Sequence, residues 1–437
     1  MHDALNLQEL LGDELVERQQ SGFDVDMALV EAVRAVSTGP GTPLEEVENL
    51  YDQLEQAPVR PGWDYREPTV LEEILAEAPG AGQGEPAAGY EDRVLAAWLG
   101  RCAGCNLGKP VEGYGWTRAK LREYLMEANA YPLDDYLPVL DPMPARFTLN
   151  PCWEVATRGR VRAMARDDDT DYTMLGLRVL ETYGRGYTSA DVANEWLRGM
   201  PFHMVYTAER VAYRNLVRGL QPPATATVRN PYREWIGALI RADIFGYVSP
   251  GDPQAAAVLS YQDAALSHTA NGVYGEMWAA ALVAAAFATS SAKEALQQAA
   301  RVVPASSRLA ESLQSTMATY EDGGSWEDAM ASMEKRLDGY HWVHTINNAE
   351  VVAAALLWGD GDFARTIGLA VEAGLDTDCT GATAGSVYGA LHGPADLPAK
   401  WTAPLEDTMH SAIFGFDGTS ITGLADRTVE LRRNNAS

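Results

Sequence analysis

Apolar residues recur along the first part of this chain at intervals of three and four, the spacing of one helix face. Val25, Met27, Leu29, Val30, Val33 and Val36 follow that rhythm, and residues 1–80 read as amphipathic helices. From Tyr90 onward the pattern stays helical but becomes richer in Ala, Leu and Val. Its main runs are RVLAAWLG, YTMLGLRVLETYG, EMWAAALVAAAFA, AEVVAAALLWG and GATAGSVYGALHG. Strict alternation, the mark of strands, is scarce, and Gly and Pro interrupt the runs as loops between packed helices would. The pattern predicts an all-α, compact multi-helix bundle with no fixed-period repeat. Between the two regimes lies EAPGAGQGEPAAG, residues 77–89. Its Gly, Pro and Ala content predicts a linker, with a helical accessory region over 1–88 and the main domain over 89–437.

Composition narrows the class. At 437 residues and 46% hydrophobic, the chain can build a large core and is not disordered. The net charge of −27 repels phosphate backbones, so nucleic acid is not an expected partner. Trp278–Phe287 is the most apolar stretch, far short of the ~20 residues of a membrane span. The N-terminus is acidic and has no apolar run, which predicts a cytoplasmic protein without a leader. The four cysteines, Cys102, Cys105, Cys152 and Cys379, support no disulfide framework. Cys102 and Cys105 form a CxxC without a second ligand pair, and are expected to be small buried residues.

Two acidic clusters stand out. Asp167, Asp168 and Asp169 immediately precede the helical pattern Tyr172–Tyr183. One Asp there would serve as an N-cap, but three adjacent carboxylates repel one another unless a cation lies between them. Asp376 and Asp378 precede a helix carrying Gly381, Ala384, Gly385 and Gly389, small residues that permit close approach of a neighbour. Carboxylates in this number suit a hard divalent cation, Mg²⁺ or Mn²⁺. Each cluster alone also admits the plainer reading of a capped, solvated helix start. The third element is GRCAGCNLGKPVE, a small-residue helix running into a Gly-punctuated loop with one carboxylate, Glu112. Asn347 and Asn348 read first as an N-cap for the helix that follows them. His344 is expected to be a structural or surface residue.

The order and spacing of these three elements resemble the ADP-ribosyl-glycohydrolase family, over roughly Tyr90 to Trp401. RVLAAWLGRCAGCNLGKPVEG resembles that family's opening Gly-Asp-x-x-Gly-x-x-x-Glu, Asp167–Thr170 its Thr-Asp-Asp-Thr, and Asp376-Thr377-Asp378 its C-terminal Asp-x-Asp-Thr. Cys105, Asp167 and Cys379 depart from those patterns, standing for Asp, Thr and Thr. The resemblance implies metal ligation by Asp167, Asp168, Asp169, Asp376 and Asp378, with one or two Mg²⁺ ions (Mn²⁺ as alternative). It implies catalytic roles for Glu112, Asp168 and Asp378, and substrate contacts from Arg241 and His268; for Asn348, contact with a substrate hydroxyl is the alternative to its capping role. The implied reaction is hydrolysis of an N-glycosidic bond in a ribosylated substrate. Three substrates or roles stay open: an ADP-ribosylated protein side chain, a small ribosylated metabolite as for a nucleoside N-ribosidase, and ADP-ribose binding without catalysis.

Overall fold

The computed structural model describes residues 6–39, 41–113 and 115–435, so the first five residues of the acidic N-terminus lie outside it. The described residues form helices and short 3₁₀ turns, and β-pairing among them is confined to isolated bridges such as Trp235–His344. The all-α expectation holds. No helix among the described residues is long and apolar enough to cross a membrane.

Three helices come first: α1 (Leu7–Gln20), which buries Glu14 and Glu17 beside its leucines, and the amphipathic α2 (Met27–Thr38) and α3 (Leu44–Glu55). They bury Leu10, Leu15, Val33, Val47, Tyr51 and Leu54. The helix expected from Val25 starts at Met27, because the Asp26 carboxylate accepts the amides of Ala28 and Leu29 and caps it there. A short helix, α4 (Leu71–Glu77), leads into the segment 78–89. That segment is a strap laid on the main body. Gly80, Gly84 and Ala87 donate their amides to the carbonyls of Arg301, Gly251 and Phe287 at 2.9, 2.8 and 2.7 Å. Buried ion pairs fasten the N-terminal region as well: Arg308 bridges Glu67, between α3 and α4, and Glu234, and Arg233 meets Glu14 of α1 at 2.9 Å.

The main body positions the chemistry through α5 (Tyr90–Gly108), α6 (Asp168–Tyr183), α7 (Ala270–Ala286), α8 (Thr345–Trp358), α9 (Phe363–Glu372) and α10 (Thr377–His392). The apolar run Trp278–Phe287 is fully used: α7 and its last neighbour are buried on every side. The central pair is α5 and α10. Gly100 faces Gly385, Gly104 faces Gly381 and Gly108 faces Thr377, so the helices run antiparallel in register. A Cβ on Gly104 would come within 1.9 Å of the Gly381 carbonyl oxygen, and one on Gly385 within 2.1 Å of Gly100's. Backbone lies on backbone here, which only glycine permits. The contact brings the C-terminal end of α5 onto the first turn of α10, where the Thr377 hydroxyl donates to the Gly108 carbonyl at 2.9 Å.

One buried acid outside the site gives a stability test. Glu372 ends α9 and accepts the Leu133 amide at 2.6 Å, and burial pushes its carboxyl up from 4.5 to about 7. A raised carboxyl pKa means that the fold disfavours the charged form. The cost is absent below pH 4.5, grows as the unfolded chain ionises, and is complete above pH 7. Glu372→Gln retains an acceptor for Leu133 and should therefore be more stable than wild type at pH 8 by about 1–3 kcal/mol. The difference should vanish near pH 4. Urea denaturation at the two pH values measures it, and an equal difference at both would contradict the assignment.

Candidate active site

The two acidic motifs lie some two hundred residues apart in sequence and meet at the helix ends just described. Asp167 is the N-cap of α6, its carboxylate accepting the Asp169 amide at 2.9 Å. The capping reading is therefore correct for one carboxylate of the three. Asp168 and Asp169 occupy the first turn. Asp376 stands at the N-cap position of α10 but makes no side-chain cap bond there. A carboxylate at that place that does not cap is free for other work.

Four groups, Cys105, Asp167, Asp169 and Asp378, offer ligand atoms within 4.8 Å of one another, and Asp376, Asp378 and Cys379 form a second such set. Asp378 belongs to both. Cys379 ties the motifs together, its thiol donating to Asp169 at 3.2 Å. Two carboxylate oxygens, Asp169 Oδ1 and Asp376 Oδ1, are buried without a hydrogen-bond partner. Burial and mutual repulsion push the carboxyls of Asp168, Asp169 and Asp376 well above the usual range, and that of Asp378 to about 6. Burial likewise raises the Cys105 and Cys379 thiols well above their ordinary value. Burial disfavours the thiolate form, so the harder donors of the set are its carboxylate oxygens. The set fits a hard divalent cation rather than a thiolate-bound one.

Cations frame the cluster. Arg101 is fully buried in α5, pairs with Asp243 at 2.8 Å, and donates to the Asp169 carbonyl at 2.7 Å. Its guanidinium is 3.7 Å from Asp169 Oδ1. Arg166 pairs with Asp171 and faces Asp168. Lys109, the first residue beyond α5, forms an ion pair with Asp167.

The cluster is the floor of a cavity of about 470 Å³. Glu112 borders it from the loop after α5, and burial followed by Asp378 raises its carboxyl well above the usual range. The opposite wall is aromatic. Trp235 stacks on His341 with ring centroids 4.2 Å apart and planes 8° from parallel, and Tyr232, Tyr206 and Trp342 stand beside them. The same Trp235, His341 and Trp342 also line an outer chamber of about 680 Å³, walled on its far side by Asp13, Val16, Glu17 and Gln20 of α1.

Residues 86–437 match the ADP-ribosylglycohydrolase family model. The chain belongs to the ADP-ribosylglycohydrolase family. Among solved structures it is similar to a chain of an "ADP-ribosylglycohydrolase-related protein complex", at 18% identity and a TM-score of 0.44, covering 79% of this chain and 98% of that one. No curated protein matches it.

The glycohydrolase places several expected site residues one layer behind the cavity. Arg241 has its guanidinium held by Asp263, Glu209 (2.6 Å) and Ser267 (3.1 Å), with Glu276 at 3.5 Å. His268 accepts or donates at Nδ1 to Ser267, 2.8 Å away, and is fully buried. Neither borders the cavity; both back Glu209, which does. Asn348 accepts the Asp376 amide at 3.2 Å and donates to the Trp342 and His344 carbonyls, joining the acidic loop to the aromatic wall. The helix begins at Thr345 with His344 as its cap, not at the Asn pair, because His344 Nδ1 accepts the Ile346 amide. His344 is consequently buried and structural.

Sequence reasoning missed Lys109, Glu209 and the Trp235–His341 stack as cavity residues. Lys109 carried a signal, a cation inside the first motif. Gly237 carried another: a Cβ there would come within 2.1 Å of Glu209, so the glycine makes room for that carboxylate. The pairing of Trp235 with His341, over a hundred residues apart, had none.

Proposed function

We propose that this glycohydrolase is metal-dependent and cleaves the N-glycosidic bond of a ribosylated substrate held between the carboxylate cluster and the aromatic wall. The observation that carries the reading is the meeting of two acidic motifs around Asp378, with oxygens on Asp169 and Asp376 that accept no hydrogen bond. Asp168, Asp169, Asp376 and Asp378 would hold a divalent cation, Mg²⁺ or Mn²⁺. Asp167 belongs to the same cluster, but both of its oxygens already accept hydrogen bonds. When bound, the cation supplies Lewis acidity and a fixed anchor for ribose hydroxyls.

The chain's own groups do the rest. Trp235 and His341 offer a flat apolar face to the ribosylated group beside the anomeric carbon. Glu112 takes a proton from the attacking water as the C–O bond forms and the C–N bond to the leaving group breaks. Its raised pKa, from burial beside Asp378, brings it nearer the working range of a general base. Negative charge from the cluster favours the oxocarbenium-like centre that develops on the sugar. Arg241 and His268 serve by holding Glu209 at the cavity edge, and Asn348 by fixing the Asp376 backbone.

Two readings of the substrate are kept, an ADP-ribosylated protein side chain and a small ribosylated metabolite. The outer chamber favours the larger one, since it shares Trp235, His341 and Trp342 with the inner cavity and offers room beside it. The described residues of 1–88 contribute no carboxylate to the cluster, and we read this region as an accessory one whose α1 shapes the approach. ADP-ribose binding without catalysis is the remaining alternative.

Glu112→Gln tests the mechanism. Gln preserves shape and one acceptor but takes no proton, so kcat should fall about 10²-fold or more with KM nearly unchanged. Steady-state kinetics on an ADP-ribosylated peptide or a nucleoside measure this. An unchanged kcat on a substrate the wild type hydrolyses would remove Glu112 from the mechanism.

A further inference from the structure

We propose that Glu209 is a specificity-determining residue that accepts hydrogen bonds from N–H groups on the planar part of the substrate held at the aromatic wall. The inference rests on the glycosidase reading above and deepens it to the chemistry of the leaving group. Glu209 lies in the helix Thr207–Val217 and borders the inner cavity together with Tyr206, Thr207, Trp235 and Gly237. It belongs to neither ligand set of the carboxylate cluster. Gly237, two residues beyond Trp235, seats it at the wall, since a Cβ there would come within 2.1 Å of Oε1 and 2.4 Å of Oε2. Thr207 holds φ at 41°, in the left-handed region that β-branched residues disfavour. Strain of this kind persists where the surroundings impose a backbone position, here two residues before the carboxylate.

A buried framework fixes Glu209 from behind. Arg241 Nη1 donates to Oε1 at 2.6 Å, and Arg241 is itself held by Asp263 and Ser267. No side chain among the described residues donates to Oε2. Arg241 does not neutralise Glu209 alone, because Asp263 shares the same guanidinium and Glu276 lies 3.5 Å from it. One cation serves several acids, and of these Glu209 borders the cavity while Asp263 and Glu276 do not. A carboxylate with surplus negative charge and a spare acceptor favours N–H donors and disfavours lone pairs. A planar group lying against Trp235 meets that carboxylate at its edge. Guanidinium, carboxamide and amino-heterocycle leaving groups fit this arrangement. An oxygen-linked group, or a heterocycle without N–H, does not.

Two matched pairs test the inference on the full chain in Mg²⁺: peptides ADP-ribosylated on arginine or on serine, and adenosine against purine riboside, which lacks the amino group. In whichever pair wild type hydrolyses, kcat/KM should favour the N–H-bearing member by about tenfold or more. In Glu209→Gln the amide oxygen stays on Arg241 and the amide nitrogen replaces Oε2, so a donor faces a donor. The N–H-bearing member should then lose about tenfold or more in kcat/KM, and the other less than about threefold. A wild type without preference, or equal losses for both members as a purely structural role would give, would overturn the proposal and leave the glycosidase reading standing. Hydrolysis of none of these compounds by wild type would overturn that reading and this inference with it. Should Glu209→Gln fail to fold, Gly237→Ala decides. Its Cβ displaces the carboxylate and should erase the same preference, and a preference that survives would overturn the proposal.

Discussion

Asp378→Asn should abolish divalent-metal binding, with affinity for Mg²⁺ or Mn²⁺ down by about 10²-fold or more. Asp378 is the one residue common to both ligand sets, so its loss damages any ion held in either. The substitution is nearly isosteric. The Cys379 amide, which Asp378 accepts at 3.1 Å, keeps an acceptor. The metal-free fold should not suffer, because a buried charge in a repulsive cluster has been removed, and its melting temperature should be equal to or above that of wild type. Wild type gains stability with added Mg²⁺ by mass action, and the variant should lose that gain. Asp168 borders the same cavity but belongs to neither ligand set, so Asp168→Ala should lower metal affinity by less than Asp378→Asn does. Isothermal titration and thermal melting with and without 5 mM-scale metal (roughly a hundredfold above a 50 μM Kd) check both. Normal titration by either variant would show that the clusters do not act together.

Gly104→Ala should be the most damaging single-methyl change in the main body. A Cβ at Gly104 would lie 1.9 Å from the Gly381 oxygen and 2.4 Å from its carbonyl carbon, and neither backbone can yield without moving a whole helix. Overpacking of side chains costs about 1–3 kcal/mol because rotamers can adjust. Here there is no rotamer to adjust, so we expect about 3 kcal/mol or more, or failure to fold. The damage should reach the chemistry. Separating α5 from α10 pulls Lys109 and Glu112 away from Asp376 and Asp378, so a folded Gly104→Ala should also lose metal affinity. Gly186→Ala, with nothing near its Cβ, is the control. Chemical denaturation of the two variants measures the contrast, and equal stabilities would contradict the backbone-on-backbone contact.

The sequence made much of this readable, for physical reasons that differ by element. The small residues before and after the acidic clusters announced close helix approach, and the 4-residue spacing of Gly381, Gly385 and Gly389 marked the face. Asp376 and Asp378 were legible because two carboxylates at a helix start exceed what a cap needs. Family resemblance, not spacing, brought Glu112 into view. Arg241 and His268 were expected at the substrate and lie behind Glu209 instead. The sequence shows which residue types are present, but not which layer each occupies. The linker expectation missed the strap for a related reason: Gly and Pro mark irregular backbone, and nothing in 78–89 tells whether its amides find solvent or the carbonyls of Gly251, Phe287 and Arg301. The Trp235–His341 wall depends wholly on tertiary contact and left no local trace.

The central claim is that this carboxylate cluster, loaded with a divalent ion, hydrolyses a ribosyl bond. It is tested most directly by incubating the full chain with an ADP-ribosylated peptide and with nucleosides, in Mg²⁺ and in excess chelator, and quantifying released ADP-ribose or ribose. The account predicts release from at least one of these substrates in Mg²⁺, none in chelator, restoration on adding Mg²⁺ back, and none from Asp378→Asn under any condition. Release that persists undiminished in chelator and in Asp378→Asn would contradict it.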